Sequence, residues 1–137
     1  MYLLDTNVVS ELRRPAPHPA VLVWMRRVPP EQLYLSAVTI GEIQAGIEIT
    51  RQQDPAKAAQ LEAWLDRVLV THEVLAVDAP AFRIWAQLMH RQSDTLMQDA
   101  LIAAVATVHR LTVVTRNTRD FQHLGVQTLN PFQPQSP

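Results

Sequence analysis

MYLLDTNVVSEL, residues 1–12, decides the fold. Its first residues are apolar, and Tyr2–Leu4 reads as a short buried strand. Asp5 closes that run. Val8–Arg13 then reads as a helix, with Thr6 or Asn7 available to cap it. A buried strand that passes straight into a carboxylate and a helix is the opening unit of an α/β sheet. In such sheets ligands gather beyond the C-terminal ends of the strands, where Asp5 stands.

The same alternation continues along the chain. Ala20–Val28 reads as a helix between Pro19 and the Pro29–Pro30 pair, which ends it. Leu33–Leu35 is a second strand, and Ser36 or Thr39 can start the helix that runs to about Thr50. Pro55 sits early in a helix over Ala56–Val70, whose Leu61, Trp64, Leu65, Val68 and Leu69 keep helical spacing. Val74–Val77 is a third strand. Asp78, with Pro80 two residues on, starts a helix to about Arg91, and the alanine-rich Met97–Arg110 is another. Leu111–Thr115 and Gly125–Leu129 are the last strands, with a short turn or helix over Asn117–Phe121 between them. The fold class is therefore α/β: a central, mostly parallel sheet flanked by helices on both faces. Residues 1–132 form a single domain, and 133–137 a loose C-terminal tail.

Composition narrows the function. The chain has 137 residues, of which 47% are hydrophobic, enough for one domain with a real core. No run approaches the ~20 apolar residues of a membrane span. No basic stretch precedes the apolar N-terminus, so the expectation is a buried strand and not a secretion signal. The absence of cysteine excludes disulfides and thiolate metal sites and fits a cytoplasmic location. Net charge is −1, unlike a protein that coats nucleic acid, and Lys57 is the only lysine. Arg13, Arg14, Arg116 and Arg119 nevertheless lie close in sequence to acidic motifs, and arginine pairs with phosphate in a bidentate way.

Four acids mark the candidate site. Each has an ordinary explanation when taken alone. Asp5 can be a helix cap. Glu42, in SAVTIGEIQAG (36–46), can be an exposed first-turn glutamate favoured by the helix dipole. It has Val38 and Ala45 beside it around the helix, and Gly41 permits close approach of the backbone. Asp120, in LTVVTRNTRDF (111–121), can be a loop residue, although Thr115 and Asn117 supply further oxygens there. Asp99, in MQDALIAAVA (97–106), fits its ordinary reading least. Ile102, Ala103 and Ala106 follow at i+3, i+4 and i+7, so it projects from the apolar face of its helix and needs a cation or donors nearby. Asp94 reads as a solvated loop residue, and Glu11 as an exposed helix glutamate. The five histidines (18, 72, 90, 109, 123) have no metal-binding spacing.

Together, four carboxylates at strand ends and helix starts repel one another unless a cation lies between them. An all-oxygen set suits Mg²⁺ or Mn²⁺. One or two such ions orient a water, lower its pKa and stabilise charge on a phosphate during in-line attack.

The blocks LLDTNVVSEL, SAVTIGEIQAGI, MQDALIAAVA and TVVTRNTRDFQHLGVQTLNPF resemble, in order and over residues 1–132, those of PIN-domain proteins, most closely the VapC/FitB group of toxins from toxin–antitoxin modules. The resemblance implies a PIN-like three-layer fold and a Mg²⁺- or Mn²⁺-dependent endoribonuclease acting on RNA. It places the family's acids on Asp5, Glu42, Asp99 and Asp120, and its polar positions on Thr6 or Asn7, Thr115 and Asn117. Asp5, Asp99 and Glu42 would hold the principal ion, and Asp120 a second ion or the attacking water. It further implies a small DNA-binding antitoxin as partner and a homodimer or larger toxin–antitoxin assembly, for which the Ala20–Val28 and Ala56–Val70 helices are the expected contacts. Many relatives carry a glycine-containing turn before the third acid, where this chain has RQSDTLMQ (91–98). Three other readings compete: a PIN-type nuclease without a toxin role, a regulatory partner of a repressor offering Trp24, Trp64 and Trp85 as a surface, and an aspartyl phosphatase. The last usually shows a second aspartate where Asn7 stands.

Overall fold

Strand β1 (Tyr2–Leu4) lies at the centre of a five-stranded sheet in the computed structural model, which describes residues 1–135. It pairs with β2 (Leu33–Ser36) on one side and β4 (Thr112–Val114) on the other, Tyr2 lying opposite both Leu33 and Thr112. The edges are β3 (Glu73–Leu75) and β5 (Thr128–Leu129), and every pairing is parallel. The helices are α1 (Thr6–Leu12), α2 (Pro19–Arg27), α3 (Ala37–Gln53), α4 (Pro55–Thr71), α5 (Ala79–Met89), α6 (Met97–His109) and α7 (Thr118–His123). Among the described residues no helix is long and apolar enough to cross a membrane.

A parallel strand is covered on both faces, so its residues are apolar without a break. Successive side chains still point to opposite faces. Leu4 and Val114 pack on one side with Val8, Val9, Trp24, Leu35 and Val68. Leu3 and Val113 pack on the other with Ile102, Ala103, Val105 and Phe121. The three layers follow: α1, α2 and α4 contribute to the first core, and α5, α6 and α7 to the second.

The strand order β3-β2-β1-β4-β5 opens a crevice at one edge of the sheet. From β1 the chain moves outward through β2 to β3, then returns to the other side of β1 to lay down β4 and β5. The order reverses between β1 and β4, and the segments leaving their C-terminal ends diverge around a crevice. Asp5 N–H still donates to Val114 O (2.9 Å), so the ladder holds one residue past β1, up to the crevice mouth.

Several boundaries differ from the sequence expectation, each because a backbone group is used elsewhere. Helix α1 starts at Thr6, and its cap is Asp5 itself, accepting from Thr6 N–H at 2.8 Å. Helix α3 is capped by Ser36, which accepts from Thr39 N–H, so Glu42 falls in the second turn and not the first. β4 starts at Thr112 because Leu111 N–H is committed to Ala106 O (2.9 Å), closing α6 through a left-handed Arg110 (φ 57°). β5 is trimmed to Thr128–Leu129 because Gly125 (φ 81°) and Val126 close α7 instead. Helix α5 ends at Met89, and Arg91 in the RQSDTLMQ segment takes φ 67°, a conformation a glycine adopts freely.

Phe132 N–H donates to Asn130 Oδ1 (2.9 Å), and Gln135 Nε2 donates to Asn130 O (2.8 Å). Of the expected tail 133–137, residues 136–137 lie outside the described residues.

Leu4 is fully buried between β1's neighbours and α1. Truncating it leaves a cavity that close-packed surroundings fill poorly. Leu4→Ala is expected to lower the free energy of unfolding by about 3 kcal/mol in urea titration, with an unchanged denaturant slope. A loss below about 1 kcal/mol would contradict a central β1.

Candidate active site

Asp5 is buried at the crevice, and three donors surround its carboxylate. Thr6 N–H reaches Oδ1 at 2.8 Å, while the Thr115 hydroxyl (2.8 Å) and Asn7 Nδ2 (3.0 Å) both reach Oδ2. Burial pushes its pKa above the ordinary carboxylate value, and the three hydrogen bonds pull against that. Thr115 Oγ1 in turn accepts from Asn117 N–H at 2.9 Å. The loop after β4 is thereby tied to the end of β1.

Asp99 enters from the first turn of α6 and Asp120 from the first turn of α7. Asn117 spans them: its side-chain amide donates to Asp120 Oδ2 (2.9 Å) and to Asp99 Oδ2 (3.2 Å). The pKa of Asp99 is pushed up to about 6, first by burial, then by the negative charges of Asp5 and Asp120, with Asn117 opposing. Ile102, Ala103 and Ala106 are all buried, so α6 does turn its apolar face and Asp99 toward the same side.

Glu42 lies half-buried on α3. Its pKa is raised chiefly by burial and then by the charges of Asp5 and Asp99. The nearby Thr6 hydroxyl opposes this, although its proton is directed at Thr39 Oγ1 (3.0 Å). A polar cleft of about 360 Å³ leads away from Glu42 between α1, α3 and α4, lined by Thr6, Ser10, Arg13, Thr50 and Trp64.

All four acids therefore share one edge of the sheet and one electrostatic field. The donor set is oxygen only, and neighbouring negative charges oppose the ionisation of Asp99 and Glu42. That chemistry fits a hard divalent cation. In this side-chain arrangement no three acidic or imidazole groups among the described residues stand together as a ready ligand cluster. Asp5 is instead engaged by its donors, and Asn117 holds Asp99 and Asp120.

Two residues were misjudged or missed in the sequence. Glu11, expected to be exposed, is buried and accepts from His18 N–H (3.0 Å) and from Arg14 (3.3 Å). Its pKa is lowered, mainly by the His18 N–H. The signal was its i+3 spacing from buried Val8. Thr39, weighed only as a cap, is fully buried, and its hydroxyl bridges toward Ser36 and Thr6. The tryptophans are mostly core: Trp24 is buried edge-on to Tyr2 (5.1 Å), while Trp64 and Trp85 are half-buried.

Comparison with known proteins bears on this site. The family described as PIN domain matches residues 2–127. The VapC ribonuclease Y4jK of Sinorhizobium fredii is 36% identical over 146 residues, covering 98% of this chain and 99% of the relative. Toxin FitB of Neisseria gonorrhoeae is 34% identical over 139 residues, covering 96% and 99%. A solved structure of FitAB bound to an IR36 DNA fragment superposes with a TM-score of 0.86 at 31% identity, covering 99% of each chain.

Asp99 carries a testable cost. Its folded pKa, about 6, exceeds the ordinary aspartate value of 3.8, so the folded protein binds the proton more tightly than the unfolded chain. Stability from that proton is full below pH ~4 and is lost as pH rises through ~6. Asp99→Asn removes the buried charge. With EDTA present, the variant is expected to melt above the parent at pH 7.5, with the gap closing toward pH 4. Equal melting temperatures at pH 7.5 would contradict the crowding of charge at this edge.

Proposed function

The chain belongs to the PIN domain family, and from that premise we propose that it is the toxin of a toxin–antitoxin module, a metal-dependent endoribonuclease that hydrolyses RNA phosphodiester bonds. The observation that carries the reading is the gathering of Asp5, Asp99 and Asp120 around Thr115 and Asn117 at the ends of β1 and β4, close enough to Glu42 that Asp5 and Asp99 raise its pKa. Burying like charges together is costly without a function that uses them.

Asp5, Asp99 and Glu42 would hold the principal Mg²⁺ or Mn²⁺, and Asp120 a second ion or the attacking water. When bound, the cation supplies a Lewis acid at the phosphate and offsets the charge that builds there. The protein's own groups do the positioning. Thr115 and Asn7 aim Asp5 through Oδ2, and Asn117 sets the spacing of Asp99 and Asp120 through one amide. In the reaction the water oxygen bonds to phosphorus, the P–O bond opposite it breaks, and the proton lost by the water is returned to the leaving oxygen. Thr6 and Thr39 fix the wall of the crevice beside Glu42.

A small antitoxin that also binds DNA is the expected partner, in a dimer or larger assembly in the cytoplasm. The FitAB complex on DNA supports this by similarity. So do the apolar side chains left exposed on the helices expected to meet partners: Val23 on α2, and Leu69 and Val70 on α4.

Purified protein incubated with total cellular RNA should give discrete fragments with Mg²⁺ or Mn²⁺ and none with EDTA, and Asp99→Asn should be inactive. Metal-independent cleavage, or full activity in Asp99→Asn, would overturn the reading. Expression without antitoxin should arrest growth, which a processing nuclease would not do. Thr115→Val keeps the shape but frees Asp5 Oδ2 from its hydroxyl. It is expected to weaken Mn²⁺ binding about 10-fold or more in calorimetric titration. Unchanged affinity would remove Thr115 from the site.

A further inference from the structure

We propose that Arg116 is a substrate-binding residue that contacts the RNA backbone next to the reacting phosphate, its guanidinium held over the Phe132 ring with its N–H groups left for a phosphate oxygen. The inference rests on the ribonuclease reading and names a substrate contact within it.

Arg116 sits between Thr115 and Asn117, the two residues that fasten Asp5, Asp99 and Asp120. Its backbone N–H points to Asn7 Oδ1 (3.4 Å), which anchors the main chain at the crevice rim. Its side chain is exposed, and the guanidinium carbon lies 3.7 Å from the centroid of the Phe132 ring. Phe132 is itself fixed. His18 meets its ring edge-on at 5.6 Å, and its N–H is bound to Asn130 Oδ1. An arginine laid on an aromatic face loses little further freedom when it binds an anion.

The charge is also unspent. Among the described residues the Arg116 side chain makes no salt bridge and no hydrogen bond, whereas Arg14 is paired with Glu11 and Arg51 with Glu48 and Glu62. Glu11 feels the charge of Arg116, but its oxygens are used by His18 N–H and Arg14. The edge needs a cation of this kind. An RNA chain that approaches four carboxylates meets repulsion on both sides of the reacting phosphate. A guanidinium one residue away from Thr115 and Asn117 offsets it and offers two parallel N–H donors to a phosphate.

The test is binding of a fluorescein-labelled, mixed-sequence 12-nucleotide single-stranded RNA, by anisotropy across a NaCl series. The Asp99→Asn background in Mg²⁺ keeps the probe intact. Adding Arg116→Ala is expected to weaken binding about 5- to 10-fold and to flatten the log Kd against log salt slope by about 0.7, the loss of one single-strand phosphate contact. Phe132→Leu is expected to weaken binding about 2- to 5-fold while keeping the slope, because the charge remains and only its placement loosens. Arg110→Asn, at the far end of α6 on the opposite edge, is expected to change neither. A background protein that binds while Arg116→Ala leaves affinity and slope unchanged overturns this inference alone. The same holds if Arg116→Ala and Phe132→Leu lower only the melting temperature, which would make the stack a structural clasp. No RNA binding by the background protein overturns the ribonuclease reading as well.

Discussion

Holding an ionisable Asp5 at the end of a strand buried on both faces is the constraint on which the rest of the site depends. β1 is central, so its C-terminal end opens into the layer between the two helical faces and not into bulk water. The carboxylate there is desolvated, and three donors meet it. Two of those donors, Thr6 and Asn7, follow Asp5 directly in the chain. The third comes from Thr115, 110 residues away, and fixes the end of β4 against the end of β1. The hydrogen bond from Asp5 N–H to Val114 O serves the same junction. The crevice is thus a consequence of strand order, and the Asp5–Thr115 contact is its hinge pin.

From that junction the other acids follow. Asn117 lies two residues past Thr115, donates backbone N–H to it, and offers its side-chain amide to Asp99 and Asp120. One short loop therefore organises three of the four carboxylates. Glu42 joins through charge and burial, with no hydrogen bond to the other acids. The cost of assembling such a group is carried by the two cores. Leu3, Leu4, Val113 and Val114 are fully buried directly beneath it, and they hold the strand ends in place against the repulsion above.

Much of this was legible in the sequence because the fold repeats simple signals. Apolar runs such as Tyr2–Leu4 and that within Leu111–Thr115 announced parallel strands, and the apolar face shared by Asp99, Ile102, Ala103 and Ala106 announced an acid turned inward. Cap assignments were less accessible. Asp5, Thr6 and Asn7 are all competent caps, and only the strand's end point decides among them. Strand lengths were overestimated where helix-closing hydrogen bonds at Leu111 and Val126 took the backbone groups first. Burial of Glu11 was hidden because a backbone N–H from His18, seven residues on across a proline-rich loop, supplies its partner. The Arg116–Phe132 stack joins residues 16 positions apart through the path of the C-terminal segment, which no local pattern encodes.

The most direct test of the central claim, that these four carboxylates act as one cation site, is an anomalous difference map from crystals soaked in Mn²⁺. The account predicts a peak at the ends of β1 and β4, ligated by Asp5 and Asp99 with Glu42 or Asp120 facing it. A peak elsewhere, or a fully soaked crystal with no peak at this edge, would contradict it.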